Sequence, residues 1–222
     1  MSSDESLYRE VDEDVRREQL AQIWKRYGNA IIAVALGVIV AVAGIKGWQY
    51  WQLKQSETAA RAYAAAVELD ASGKSADAAK AFADLTKGQP GFAALAGLRE
   101  AASLAASGDT KGAVAAYDKL AASPDKVIAD VARVRAAWLL VDTASLADLQ
   151  GRLAGLDAPD NAFRSAAREI IGLAQYKAGD LEKANKSLTD LLNDPEAPPS
   201  ARARANVILK LIAPRLGAKQ AG

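Results

Sequence analysis

The chain has 222 residues, 50% of them hydrophobic and 25% charged, and its formal net charge is +1. This balance argues against a nucleic-acid binder, because such proteins neutralise phosphates with an excess of Lys and Arg. The chain contains neither Cys nor His, which excludes disulfide frameworks, thiol nucleophiles, imidazole bases and nearly all structural zinc sites. Alanine is the commonest residue and β-branched residues are sparse outside one stretch, so the composition predicts an all-α fold.

Residues 1–26 are predicted to form a cytoplasmic tail that contains an amphipathic helix. Apolar side chains recur at helical spacing between residues 9 and 27, with mixed charges on the other face. A helix along the membrane surface, a docking helix for a partner and a solvated tail all fit this pattern.

Residues 27–51 are predicted to form a transmembrane helix with an aromatic belt. The run 27–45 carries no charged residue and would span roughly 28 Å as a helix, close to the thickness of a bilayer core. Aromatic residues flank the run on both sides: Trp24, Tyr27, Trp48, Tyr50 and Trp51. Five Lys or Arg lie in the 20 residues before the run and three in the 20 after it, which predicts a cytoplasmic N-terminus. Membrane lipid is therefore an expected partner.

Two features of this segment leave alternatives open. The sequence AVA at residues 41–43 matches a signal-peptide cleavage pattern, but the long acidic region before the run favours an uncleaved anchor. Ala33, Gly37 and Ala41 lie four residues apart on one helix face, as in close-packed transmembrane helix pairs. The same stripe also arises simply because small residues are abundant here.

Residues 52–213 are predicted to form a helical repeat domain. Gly73, Gly108 and Gly179 are each followed by Ala after five residues, by an aromatic residue or Leu after nine and by Leu after twelve. The first two glycines are 35 residues apart and the last two 71, so a degenerate repeat with Ala144 in the glycine position lies between them. The spacing resembles the tetratricopeptide repeat, in which glycine ends the first helix and a later proline ends the second.

The repeats predict an α-solenoid of about four helical hairpins. Residues 200–212 are expected to form a capping helix that ends at Pro214, followed by a disordered tail over residues 214–222. An array of helical hairpins that lacks the formal tetratricopeptide fold is the alternative.

The sequence predicts no catalytic, cofactor or metal site. The GKS sequence at residues 73–75 lacks the earlier glycine of a phosphate-binding loop. Asp157 and Asp160 flank Pro159 and fit turn and capping roles. We therefore expect that the protein is not an enzyme and uses no cofactor.

The concave face of the solenoid is predicted to bind partners. The first helices of such repeats line this face, and their inward positions are apolar with cationic edges: Tyr63, Val67, Leu98, Arg135, Trp138, Val141, Leu173, Tyr176 and Lys177. Aromatic anchors in a channel of this kind suit extended or partly unfolded polypeptide. Trp138 fits either the groove or the core between helices.

Three features of the chain point to a known family. They are the opening EVDEDVRREQLAQIWKRYG at residues 10–28, the motif GWQYW at residues 47–51 and the degenerate repeats. Together they resemble the bacterial YfgM-type family, tetratricopeptide proteins described as ancillary subunits of the Sec translocon.

The resemblance implies a single-span inner-membrane protein with a periplasmic repeat domain. Its implied role is that of a scaffold or chaperone-adaptor that binds emerging secretory polypeptides. Its implied partners are Sec translocon subunits and a membrane-anchored periplasmic chaperone of the prolyl-isomerase-like type. A tetratricopeptide scaffold for another cell-envelope complex is the alternative.

Overall fold

The computed structural model describes the backbone of residues 3–88 and 90–220, and side chains from residue 21 onward except those of residues 22, 23, 31, 90 and 218–220. All regular secondary structure in these ranges is helical, which confirms the all-α prediction. The helices are α1 (Ser3–Ala71), α2 (Ser75–Leu85), α3 (Pro90–Ala106), α4 (Thr110–Ala121), α5 (Lys126–Leu140), α6 (Leu146–Arg152), α7 (Arg164–Lys177), α8 (Leu181–Leu192) and α9 (Pro199–Gln220). The amphipathic pattern predicted for residues 9–27 rests largely on side chains outside the described residues.

The chain divides into two compact units, Met1–Glu57 and Thr58–Gly222. In the first unit the described residues belong to one continuous stretch of α1. Part of α1, Trp24–Ala71, is long and apolar enough to cross a membrane, and its most apolar window is almost entirely exposed. A signal sequence near an N-terminus meets the same criteria of length and composition.

The second unit consists of helical hairpins that pack side by side. The part of α1 from residue 58 onward packs against α2, α3 pairs with α4, α5 with α6 and α7 with α8, and α9 closes the array. Each first helix also packs on the next, as α3 does on α5, α5 on α7 and α7 on α9. Alanine supplies much of the buried surface, so the helices approach closely.

Glycines with positive φ end the first helix in three of the hairpins. Gly73, Gly108 and Gly179 have φ angles of 80°, 89° and 79°, which confirms the left-handed turns expected at these positions. In two of these turns the next residue caps the second helix. The Asp109 carboxylate accepts from the backbone N–H of Gly112 at 2.9 Å, and the Asp180 carboxylate accepts from that of Lys183 at 3.3 Å.

The third hairpin turns differently, because the residue in its glycine position, Ala144, does not adopt a positive φ. Ala144 lies between α5 and α6, and the Ser145 hydroxyl caps α6 by accepting from the backbone N–H of Asp148 at 3.1 Å. The second helix is short, and the Arg133 guanidinium donates to the carbonyl oxygens of Arg152 and Ala154, both at 2.7 Å. This side chain supplies hydrogen bonds where the short helix ends.

The end of the chain corrects two predictions. The capping helix was expected to end at Pro214 and residues 214–222 to be disordered, but Pro214 lies inside α9, which continues to Gln220. Residues 221 and 222 of the predicted tail lie outside the described residues. Pro214 is exposed, whereas Ile212 before it is buried and Leu216 after it packs against the same cluster. Apolar packing on both sides of the proline therefore outweighs the helix-breaking effect of its missing N–H.

Candidate functional site

A groove lies where α5, α7 and α9 come together. Its cavity has a volume of about 290 Å³ and an almost wholly apolar surface. Trp138 comes from α5 and Leu173 from α7, whereas α9 supplies Val207 and Ile208. The remaining lining residues are Glu169, Leu188, Arg204 and Ala205.

The groove follows the register of the repeats. Trp138, Leu173 and Ile208 are each 35 residues apart, so they occupy equivalent positions in α5, α7 and α9. The capping helix α9 thus takes the place of the first helix of a further repeat. Its Val207 is 58% exposed, and Leu211, three residues after Ile208 on the same helix face, is 51% exposed. These apolar side chains are available for contact with another molecule.

An ion pair with a buried carboxylate lies at the side of the groove. The Glu169 carboxylate on α7 is buried and accepts from Arg204 Nε at 2.5 Å and Nη2 at 2.8 Å. The Arg204 side chain remains 57% exposed, so one end of the pair reaches solvent. The hydrogen bonds from Arg204 compensate the buried charge of Glu169 and tie α9 to α7.

Two other ion pairs connect neighbouring repeats in the same way. The guanidinium of Arg152 on α6 pairs with Asp118 on α4, and Lys177 at the end of α7 pairs with Asp142 just after α5. The partners are 34 or 35 residues apart in these pairs, as they are in the Glu169–Arg204 pair. Exposed pairs of this kind add little stability, and they link equivalent positions of successive hairpins.

Trp138 belongs to both the groove and the core. Its half-buried side chain packs against the cluster formed by Val134, Ala137 and Leu149, and the same side chain lines the groove. Trp138 therefore lines the groove and contacts the core at once, and its predicted role in binding stays a prediction.

Four other predicted groove residues pack against buried clusters. Tyr63 and Val67 contact the cluster around Phe82, with the Tyr63 and Phe82 ring centroids 5.3 Å apart. Leu98 packs against the cluster that contains Tyr117, and Val141 against the cluster that contains Leu149. All four are half-buried, and their predicted binding role stays a prediction.

The remaining predicted residues are polar or charged. Tyr176 packs beside the core of the last repeat, and the Arg215 guanidinium lies 5.7 Å from the centre of its ring. Lys177 is held by Asp142. Arg135 is exposed and lies close to Tyr117, where burial raises the pKa of the phenol and the Arg135 charge partly opposes this rise.

Of the nine predicted residues, only Trp138 and Leu173 line the groove in the described part of the chain. Glu169 and the whole contribution of α9 were not predicted from the sequence. The signal was present in the repeat period, because adding 35 to the position of Leu173 gives Ile208. Because α9 was predicted only as a capping helix, its residues were not predicted to line the groove.

The predicted transmembrane packing stripe is exposed. Ala33, Gly37 and Ala41 all face away from other described residues, and a Cβ placed on Gly37 would meet no atom within 4 Å. Their proposed role in helix pairing stays a prediction.

Comparison with known proteins identifies the repeat type. A family model described as a tetratricopeptide repeat-like domain matches residues 21–211. No curated protein and no solved structure significantly matches the chain. Proteins with this type of repeat are typically non-enzymatic scaffolds for protein–protein interaction. Because the model matches far more than half of the chain, this protein belongs to the tetratricopeptide repeat-like family.

Proposed function

We propose that the protein is a membrane-anchored scaffold that binds polypeptide segments in the groove between α5, α7 and α9. The observation that carries this proposal is the apolar row of Trp138, Leu173 and Ile208, with the exposed Val207 beside it. Rigid aromatic and aliphatic side chains in a groove are the usual anchors of polypeptide recognition. A groove built on three helices also holds these anchors in place before a ligand arrives.

The proposed anchor is the apolar run at residues 27–45. Its length and composition are those of a membrane span. The excess of Lys and Arg before the run favours a cytoplasmic N-terminus and an extracytoplasmic repeat domain. The location proposed is the bacterial inner membrane, with the repeats in the periplasm.

The proposed partners are subunits of the Sec translocon and a membrane-anchored periplasmic chaperone of the prolyl-isomerase-like type. This part rests on the resemblance of residues 10–28 and 47–51 to the YfgM-type family. In this role the groove holds secretory polypeptides as they emerge from the channel.

Site-specific crosslinking of the full chain tests the proposal. A photoreactive amino acid at Leu211 should crosslink to secretory polypeptides during translocation, and pull-downs from detergent should recover Sec channel subunits. Val207→Asp should abolish the polypeptide crosslink, because it introduces a charge into the apolar lining. Val127→Asp is the matched control, since Val127 is 64% exposed on α5 and does not line the groove.

The results separate the proposal from its alternative. Crosslinks to polypeptide that survive Val207→Asp would contradict binding in this groove. Recovery of other envelope complexes without Sec subunits would favour a scaffold for a different assembly.

A further inference from the structure

All the charged residues of α9 are cationic. The helix contains Arg202, Arg204, Lys210, Arg215 and Lys219 and no Asp or Glu. Two of these cations, Arg204 and Arg215, lie four residues before and seven residues after Ile208, on the same face of α9. Arg204 is bound to Glu169, whereas Arg215 is exposed and makes no ion pair within the described part of the chain.

Arg215 lies beyond the apolar residues Ile208 and Leu211 along α9. It follows Leu211 by four residues, so both side chains lie on the same face of α9. Its guanidinium lies 5.7 Å from the centre of the Tyr176 ring, which comes from the neighbouring α7. Stacking on an aromatic ring restricts the guanidinium while leaving its N–H donors free for an anion.

The first hairpins do not combine these features at equivalent positions. The position of Leu173, six residues before the glycine of the turn, is occupied by Val67 in α1 and by Ala102 in α3. The position of Tyr176 is occupied by Ala105 in α3 and by Asp70 in α1. Among α1, α3 and α7, a large apolar side chain and an aromatic ring three residues after it therefore occur together only in α7, beside α9.

We propose that the groove selects apolar polypeptide segments that carry an acidic side chain, and that Arg215 binds this carboxylate. This inference rests on the proposed polypeptide binding and adds its specificity. The apolar part of the segment packs on Leu173, Ile208 and Leu211. The carboxylate accepts hydrogen bonds from the Arg215 guanidinium, a charge-assisted contact stronger than a neutral hydrogen bond.

Fluorescence of Trp138 provides a direct measurement. Replacing Trp24, Trp48 and Trp51 with Phe in the full chain leaves Trp138 as its only tryptophan. The protein is held in nonionic detergent and titrated with two synthetic peptides. Both have the same Leu- and Val-rich centre, one followed by Glu residues and the other by Lys residues.

The Glu peptide should bind about tenfold more tightly than the Lys peptide at low ionic strength, the effect of one charge-assisted hydrogen bond. The difference should shrink as salt is added. Arg215→Ala should remove the preference, Arg215→Lys should retain part of it and Arg215→Glu should reverse it. Lys210→Ala is the matched control, because Lys210 is an exposed cation of α9 that lies on another face than Ile208.

The outcomes distinguish this inference from the proposed function. Equal binding of both peptides, or a preference that survives Arg215→Ala, overturns the acidic specificity and leaves polypeptide binding intact. If neither peptide changes the Trp138 emission, polypeptide binding fails as well. A response to anionic phosphatidylglycerol vesicles but to neither peptide would also overturn the inference, in favour of a lipid headgroup.

Discussion

Gly172 sets the distance between α7 and α8. A Cβ at this position would lie 2.7 Å from Leu188 Cδ2 and 2.8 Å from Leu188 Cγ. Leu188 is fully buried, so its side chain has little room to move away. A close helix contact therefore requires a small residue at this position.

Gly172→Ala should destabilise the protein by about 1 to 2 kcal/mol. Overpacking against Leu188 costs about 1 to 3 kcal/mol, and the higher helix propensity of Ala offsets up to about 1 kcal/mol of this. Gly151→Ala on α6 is the control, because its Cβ would meet no atom within 4 Å. That variant should be more stable by about 0.5 to 1 kcal/mol. Urea unfolding of both variants measures the difference, and equal stabilisation would contradict a tight contact at Gly172.

Asp194 binds the start of α7 to the loop before α9. Its buried carboxylate accepts from Arg164 Nε at 2.6 Å and Nη2 at 2.7 Å, and from the backbone N–H of Glu196 at 3.0 Å. The Arg164 hydrogen bonds are the main reason that the pKa of Asp194 falls from 3.8 to about 2. A carboxyl group with a lowered folded-state pKa stabilises the fold most above its unfolded pKa.

The stability contributed by Asp194 should depend on pH. It should be complete above about pH 4 and be lost as the pH falls through about 2, because the proton then binds the folded and unfolded chains alike. Thermal melts of the wild type and Asp194→Asn should differ most at neutral pH and converge in acid. Asp190→Asn, a change at an exposed residue of α8, is the control. A difference that stays constant with pH would contradict the assignment.

At the scale of the element, α9 uses two faces for two purposes. Ile212 is fully buried and packs on the cluster that contains Leu188 and Leu191. Leu211, its neighbour in sequence, faces solvent beside the groove. Ile212 therefore contributes to folding, whereas Leu211 is available for the proposed binding.

Ile212→Ala should therefore mainly reduce stability, whereas Leu211→Ala should mainly reduce peptide binding. Ile212→Ala should reduce the free energy of unfolding by about 2 to 5 kcal/mol, because it leaves a cavity. Leu211→Ala should change stability by less than about 1 kcal/mol but weaken peptide binding. Chemical unfolding and peptide titration of both variants measure the two effects. Similar losses of stability would show that α9 packs differently.

The ends of helices could be predicted from the sequence where the backbone conformation requires one residue type. The glycine turns at Gly73, Gly108 and Gly179 were found because only glycine adopts positive φ readily. The turn at Ala144 was placed only by the repeat period, since Ser145 caps the next helix there without a glycine. The extent of α9 was missed because Pro214 signals a helix end, while the opposing packing is long-range.

The groove was predictable only in part, because it also depends on long-range contacts between helices. Trp138 and Leu173 were identified from the phase of their own helices. Glu169 was not identified, because a buried carboxylate is explained only by its partner Arg204, 35 residues away. Contacts between repeats decide which half-buried residues line a groove and which pack inside it.

At the scale of the whole molecule, orientation in the membrane is the decisive prediction. A phosphatase that is active only in the periplasm should work when fused after Gly222 and fail when fused before Ser3. The positive charges before the 27–45 run are the physical reason, because they are retained on the cytoplasmic side. A fluorescent protein that matures only in the cytoplasm should give the reverse pattern. An active N-terminal phosphatase fusion would place the repeats in the cytoplasm.

The position of α9 at the outer edge of the array also gives the groove a response to mechanical load. In a linear array each hairpin is held only by its neighbours, so an element at the edge of the array is held on one side only. Here that element is α9, which packs on α7 and α8 and forms one wall of the groove. We therefore expect tension to open the proposed polypeptide site by detaching α9 before α7 and α8 separate. In an optical trap, the first extension step should correspond to α9 alone, and simultaneous rupture of all hairpins would contradict this.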